Sequence, residues 1–177
     1  MHLRSPLASF LLLTCVLPVG CASPADPEAM VPTNAKVGSR HRGSVNVTVV
    51  GGRETNPLLV SEISNDNLQK ALVLSLTHYG VFTRVVQNNS SDYRLDVALV
   101  DLKQPLAGFD MTVTTRLMWR LTNTHTQRVV WEETISTPFK ATMGDTLLGV
   151  RRLQLANEGA VREGIKAGIE RLGRLSF

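Results

Sequence analysis

The sequence predicts a two-layer α+β domain: two helices on one face of a mainly antiparallel sheet, in the order β-α-β-β-β-β-α. Three observations carry this. Phe109 to Leu121 alternates, with Phe109, Met111, Val113, Thr115, Leu117, Trp119 and Leu121 on one side and Asp110, Thr112, Thr114, Arg116 and Arg120 on the other, Met118 being the exception, the pattern of a strand with one wet face. Two segments repeat apolar residues at helical spacing. The helices flank a run of strands instead of alternating with them, which favours α+β layering. With 177 residues, 43% hydrophobic and 19% charged, the composition is that of a globular chain. Aromatics are only 5%, so the core is expected to be aliphatic.

The first strand is Ser44–Val50, where Val45, Val47 and Val49 share a face. Gly51-Gly52 ends it. No Gly-Lys-Ser/Thr and no third glycine at dinucleotide-binding spacing follows, so a turn or bulge is expected and a phosphate loop is not. Ser64 is the expected N-cap of the first helix, with Ile63 and Leu68 as its hydrophobic staple. Leu68, Leu72, Leu76 and Tyr79 form its apolar stripe, and Gly80 its C-terminal stop. His78 falls in the last turn, where a partial positive charge suits the helix dipole.

Val81–Gln87 reads as the second strand and Asn88–Asp92 as a polar turn. Tyr93–Leu102 is the third strand and Phe109–Leu121 the fourth. A hairpin loop at 123–127 leads to the fifth, Arg128–Thr137, with Val129, Trp131 and Ile135 facing the core. The last helix is expected to start from an Asp145 N-cap. Its apolar positions are Leu148, Leu153, Val161, Ile165, Ile169 and Leu172. Ala156, Ala160, Gly164 and Gly168 form a small-residue row, expected to bring the helix close to the sheet or to the first helix, since interior glycines cost about 1 kcal/mol each without some packing return. Glu158–Arg162, Lys166–Glu170 and Glu170–Arg174 have the spacing of ion pairs on a solvated face.

Residues 22–42 contain Pro24, Pro27 and Pro32 and lack periodicity. They are expected to be a flexible tether spanning about 25 Å root-mean-square. Lys36, Arg40, His41 and Arg42 cluster at its end and read as solvated charge. The domain proper is then 43–177, a usual single-domain size.

Catalytic constellations are lacking. His41, His78 and His125 have no metal-ligand spacing, no G-x-S-x-G or S-x-x-K motif occurs, and Asp92, Asp96, Asp101 and Asp110 are spread over the strands. The chain is therefore expected to be non-enzymatic, with no metal, no cofactor and no catalytic residue. Its arginines are not interleaved with exposed aromatics, so nucleic acid is not an expected partner. Arg94, Arg116, Arg120 and Arg128 fall on outward strand positions and form a possible basic binding surface for an acidic protein or for lipopolysaccharide phosphates.

The N-terminus carries the clearest signal. Arg4 precedes an apolar run, Leu7 to Leu17, too short to span a bilayer and matching a signal peptide over 1–20. Leu17-Pro18-Val19-Gly20-Cys21 resembles the lipobox of bacterial lipoproteins, with Pro18 where an aliphatic residue is usual. The resemblance implies cleavage before Cys21 and its acylation, the membrane anchor. The alternative is a plain secretory signal cut after Ala22. Removing Arg4 lowers the net charge from +4 to +3. Cys15 leaves with the signal, so Cys21 would be the last cysteine. In such lipoproteins an aspartate after the cysteine favours the inner membrane; with Ala22 and Ser23 there instead, the resemblance implies the periplasmic face of the outer membrane.

The whole layout of lipobox, tether and element order resembles small α/β envelope lipoproteins such as LptE, YajG and LpoB. That resemblance implies an accessory lipoprotein docking on an envelope assembly or transport component. The alternative is a lipid-, lipopolysaccharide- or glycan-binding module using the basic sheet face or the helix–sheet cleft.

Overall fold

The computed structural model describes residues 22–56, 61–88, 90–106 and 108–177. The predicted signal segment and Cys21 lie outside them. The elements are β1 (His41–Val50), α1 (Asn65–Tyr79), β2 (Phe82–Val86), β3 (Tyr93–Lys103), β4 (Met111–Asn123), β5 (Arg128–Ala141) and α2 (Gly149–Leu172). The α+β class and the element order are as predicted. The strands form one five-stranded sheet in the order β2-β1-β3-β4-β5.

The sheet is mixed. Its long strands β3, β4 and β5 pair antiparallel, but β1 pairs parallel with both β2 and β3. The first strand is therefore inside the sheet. The segment β1-α1-β2 is a crossover unit, which parallel neighbours require. Phe82 to Val86 lies along 41–46 on one flank of β1, and β3 lies along 45–50 on the other. The chain passes from one flank to the other through residues 87–92. The polar turn expected there is this crossing, not a hairpin between antiparallel neighbours.

Local signals act as read at α1. Ser64 Oγ accepts the Asn67 amide at 3.2 Å, and Gly80 takes the left-handed conformation at φ 60°, its amide directed to the Leu76 and Thr77 carbonyls. The diglycine is dictated by close approach: a Cβ on Gly52 would lie 2.6 Å from both the Asn65 nitrogen and the Ile63 oxygen. Elsewhere the expectations are corrected. Asp145 does not cap α2. Its carboxylate accepts the Thr142 amide at 2.7 Å and hydroxyl at 2.9 Å, closing a tight turn, and the helix starts later from Leu148 with no side-chain cap. Phe109 and Val129 are exposed. Phe109 falls in the bend before β4, and Val129 sits at a register shift opposite Leu121/Thr122.

Both helices cover the same face. Leu68, Leu72 and Leu76 of α1 and Val161, Ile165 and Ile169 of α2 meet Val47, Val97, Leu117, Trp119 and Leu121 in one core. The helix–sheet space is filled, so the cleft considered for a ligand is closed there. The small row of α2 faces the sheet: a Cβ on Gly164 would lie 2.9 Å from Leu117 Cδ1, and one on Gly168 2.3 Å from Trp119 Cζ2. Thr115 and Thr137, polar residues on the inner face, donate to the Ala160 carbonyl at 3.1 and 2.8 Å, which that close approach permits.

The expected tether is a strap. Residues 22–40 follow α1 and α2 from their N-terminal toward their C-terminal ends, bonding to both. Asn67 donates to the Ala25 carbonyl (2.9 Å) and Gln154 to Pro24 (2.9 Å). The Asp26 amide donates to Glu158 (3.0 Å), Arg162 to the Ala29 carbonyl (2.8 Å), and the Lys36 amide to Glu170 (3.0 Å). Tyr79 Oη accepts from Ala35 (3.1 Å) and donates to Pro32 (2.9 Å). Ala25 and Met30 are fully buried. The flank of α2 read as solvated ion pairs is the seat of this strap, and Glu158 is buried beneath it. His41, expected in the tether, is the first residue of β1. It is buried with Nε2 2.7 Å from the Leu172 carbonyl, and its ring stacks on Phe177 at 4.3 Å.

Candidate functional site

Two regions were singled out by sequence: Cys21, the expected lipidation residue, and the outward sheet face. The second is fully described. Its residues alternate with the core set, so burial of one face leaves the other in water. Arg94, Arg116, Arg120 and Arg128 are all exposed. They do not form a uniform basic surface. Arg94 Nε lies 3.0 Å from Asp96 Oδ2, and Arg120 Nε lies 2.7 Å from Glu132 Oε2. Thr48 also donates to Asp96. Arg116 stands opposite Asp101 in register, and Arg128 opens β5 at the far end. The pairing holds the Glu132 carboxyl below its ordinary range, chiefly through the Arg120 hydrogen bond, and raises Arg120 in return. Such exposed pairs are each worth little. Their consequence here is that two of the four arginines already have partners.

One histidine and one acid, His125 and Asp92, meet at the hairpin end of the sheet, beside Ser44. Asp92, at the end of the crossing segment, accepts the Ser44 amide and hydroxyl, both at 2.7 Å, and lies 3.2 Å from His125 Nε2. Its own amide donates to Ser44 Oγ at 3.1 Å, and its carbonyl takes the Thr124 amide at 3.0 Å. Serine, aspartate and histidine are thus close, but both Ser44 and His125 point at the carboxylate and not at each other. No nucleophile–base pair results. The cluster ties the starts of β1 and β3 to the β4–β5 hairpin. The Ser44 amide, the Ser44 hydroxyl and His125, in that order, hold the Asp92 carboxyl well below the usual carboxylate range.

A depressed native pKa stabilises the fold above the unfolded value, about 3.9 for aspartate, and that contribution fades as pH falls below it. Asp92→Asn is therefore expected to be less stable than the parent at pH 7. It should also lose less stability between pH 4 and pH 2, and urea unfolding at both ends of that window checks it. Equal loss in the two proteins would refute the assignment.

Among the described residues no group of three histidine, cysteine, aspartate or glutamate side chains is placed to hold a metal ion, and no helix is long and apolar enough to cross a membrane. At the start of the described residues, Ala22, the residue after Cys21, is 6% exposed. The residues that seat the strap there, Gln154, Glu158 and Arg162, were missed as a set because Glu158 and Arg162 read as an ion pair on the wet side of α2. The available signal was Met30-Val31, an apolar pair without purpose in a free linker.

No family model and no curated protein matches the chain in sequence. Solved structures do share its fold. A Xanthomonas campestris protein of the DUF330 family superposes with TM-score 0.64 at 16% identity, covering 85% of this chain and 94% of that one. The PelC dodecamer of Paraburkholderia phytofirmans gives 0.52 at 15% identity, covering 81% and 96%. A hypothetical protein of Chlamydia trachomatis gives 0.52 at 7% identity, covering 73% and 94%. At these identities the likeness is one of fold: a domain of this mixed-sheet architecture occurs in several bacteria.

Proposed function

We propose that the chain is a non-enzymatic accessory lipoprotein, anchored through Cys21 at the periplasmic face of the outer membrane, whose domain docks on an envelope assembly or transport component. One observation carries the anchor. The lipobox-like run ends at Cys21, and the next residue, Ala22, is already packed at the entry to the helix layer. Cleavage before Cys21 would therefore leave an acylated residue directly at the surface of a folded domain, and more than one acyl chain gives stable anchoring. The likeness of layout to envelope lipoproteins points the same way. The lack of any catalytic constellation among the described residues supports a docking role. The basic-face alternative has less support, because Arg94 and Arg120 are engaged by Asp96 and Glu132.

Cys21→Ser is expected to move the protein from the membrane fraction to the soluble fraction. Mass spectrometry of the parent should find an acylated cysteine at the mature N-terminus. A parent protein that is soluble, or cut after Ala22, would end this reading. For the docking role, stoichiometric co-purification of one envelope protein after mild solubilisation is the expected result. Bound lipid with no protein partner would favour the module reading instead.

A further inference from the structure

The strap begins at the same end of the domain as two loops that expose large apolar side chains. The loop between β3 and β4 presents Leu106 and Phe109. The loop between β5 and α2 presents Met143, Leu147 and Leu148, and Val150 follows in the first turn of α2. Phe109 and Leu147 are each 80% exposed. The loops are neighbours, because Met111 and Ala141 at their inner ends are register partners. They are also tied together. The buried Arg152 donates through Nη1 to the Thr146 carbonyl at 2.7 Å and through Nη2 to the Gly108 carbonyl at 3.3 Å. Lys140 bridges to Asp110 at 2.6 Å, and Asp145 closes the turn onto Thr142. Contacts from the domain thus hold the loops while their apolar side chains face outward. A cluster of this kind on two adjacent loops marks a contact surface.

The position of the anchor says what covers it. Gln154 fixes the Pro24 carbonyl at 2.9 Å, one helical turn beyond Val150, which is about 6 Å along the axis. From Pro24 back to Cys21 the chain can reach about 10 Å at most. The root of the β3–β4 loop is held to the same part of α2, with Gln104 donating to Asn157 at 2.9 Å. An acyl chain on Cys21 would enter the bilayer within that short reach of both loops. Because residues 22–40 are docked, there is no 25 Å tether to hold the domain away.

We propose that Leu106, Phe109, Met143, Leu147 and Leu148 form an apron that contacts the lipid bilayer surface and seats the domain on the membrane beside its anchor. The proposal rests on the reading of Cys21 as the lipidated residue. The contact is apolar in character: Lys140 is paired with Asp110, and Lys103 lies 4.0 Å from Asp101, so salt should weaken it little. It also sets an orientation. The β4–β5 hairpin loop, which holds Thr126 and meets Asp92 through His125, is at the opposite end of β4 and would face away from the membrane.

The test uses the full chain expressed with its signal segment, purified and reconstituted in vesicles of phosphatidylethanolamine and phosphatidylglycerol. Leu147→Cys, and Thr126→Cys as the comparison, each place a thiol for an environment-sensitive fluorophore, and circular dichroism verifies the fold. The expected result is a blue-shifted probe at 147, several-fold less accessible to an aqueous quencher than the probe at 126. Equal quenching at both positions, with mass spectrometry finding Cys21 acylated, would overturn the apron and leave the anchor intact. Shielding at 147 in the soluble Cys21→Ser background, in buffer before vesicles are added, would assign the surface to a second copy of the chain and also overturn it. Should Cys21 prove unacylated, the anchor reading fails by itself. The variant combining Cys21→Ser with Leu147→Cys, mixed with the same vesicles, then decides: shielding upholds the apron and free quenching refutes it.

Discussion

Met30→Ala is expected to lower the unfolding free energy by about 3 kcal/mol, the usual cost of emptying a large buried apolar site. Met30 ends a short 3-10 turn, Glu28–Met30, and is fully buried in the main core with Ala25 beside it. Deleting its side chain removes both its transfer from water and its contacts with neighbours that cannot fully collapse. The strap around it is held by peptide groups, among them the Asp26 amide on Glu158 and the Ala29 carbonyl on Arg162. Those bonds fix the backbone and do not refill the space. A residue in a free tether would show no effect at all, so the substitution separates the two descriptions of residues 22–40 cleanly. Equilibrium urea unfolding followed by the fluorescence of Trp119 and Trp131 is the measurement. An unchanged midpoint would mean that the strap is not part of the cooperative fold.

Gly168→Ala is expected to destabilise the domain by about 2 kcal/mol, even after the ~1 kcal/mol that alanine gains over glycine in helix propensity. The added methyl would stand 2.3 Å from Cζ2 and 2.5 Å from Cη2 of Trp119. That ring is fully buried and tilted against Trp131 at 6.1 Å between centroids, so it has no free direction in which to yield. Either α2 lifts from the sheet or the indole leaves its rotamer. Lifting the helix would also stretch the bonds from Thr115 and Thr137 to the Ala160 carbonyl. Gly149→Ala in the first turn of the same helix is the control. An added methyl there would meet Arg152 Nη2 at 3.8 Å, an ordinary contact, and stability should hold or rise slightly. Thermal unfolding of the pair distinguishes a packing requirement at 168 from a general tolerance for glycine in α2.

The two cases differ in how far sequence could see them. The small-residue row of α2 was legible because its spacing is local and periodic, and the interior glycines Gly159, Gly164 and Gly168 call for close packing. The cap of α1 by Ser64, its Gly80 stop and the alternation of β4 were legible for the same reason. Each depends on residues a few positions apart, where geometry follows directly from residue type. The limit of that reasoning appears within the same elements. Alternation placed Phe109 and Val129 on the core face, yet one lies before the strand and the other at a register shift, and neither break changes the pattern of residue types.

For the candidate sites the division is similar. The lipobox-like run is a contiguous pattern, so Cys21 could be singled out from sequence. The outward arginines were correctly placed on the wet face by periodicity. Their partners were not, because Arg120 meets Glu132 across the β4–β5 pair, and which residues stand opposite depends on register. The apron of exposed apolar side chains comes from two loops far apart in the chain. Leu148 read as a core position of the last helix, and Leu106 as part of a connection.

By itself, then, the sequence determined the element types and order, most of the wet and dry faces of the strands, and the start and stop of α1. Tertiary structure decided three further things. β1 lies inside the sheet, parallel to β2 and β3. Residues 22–40 bind along the helices instead of swinging free. Glu158 is enclosed beneath them. The physical reason is shared: each depends on hydrogen bonds and apolar contacts between segments widely separated in the chain, Asp26 with Glu158 or Ser44 with Asp92. Proline-rich, aperiodic residues such as 22–40 have no secondary structure to announce, so only the surface available to receive them determines whether they are a tether or part of the fold.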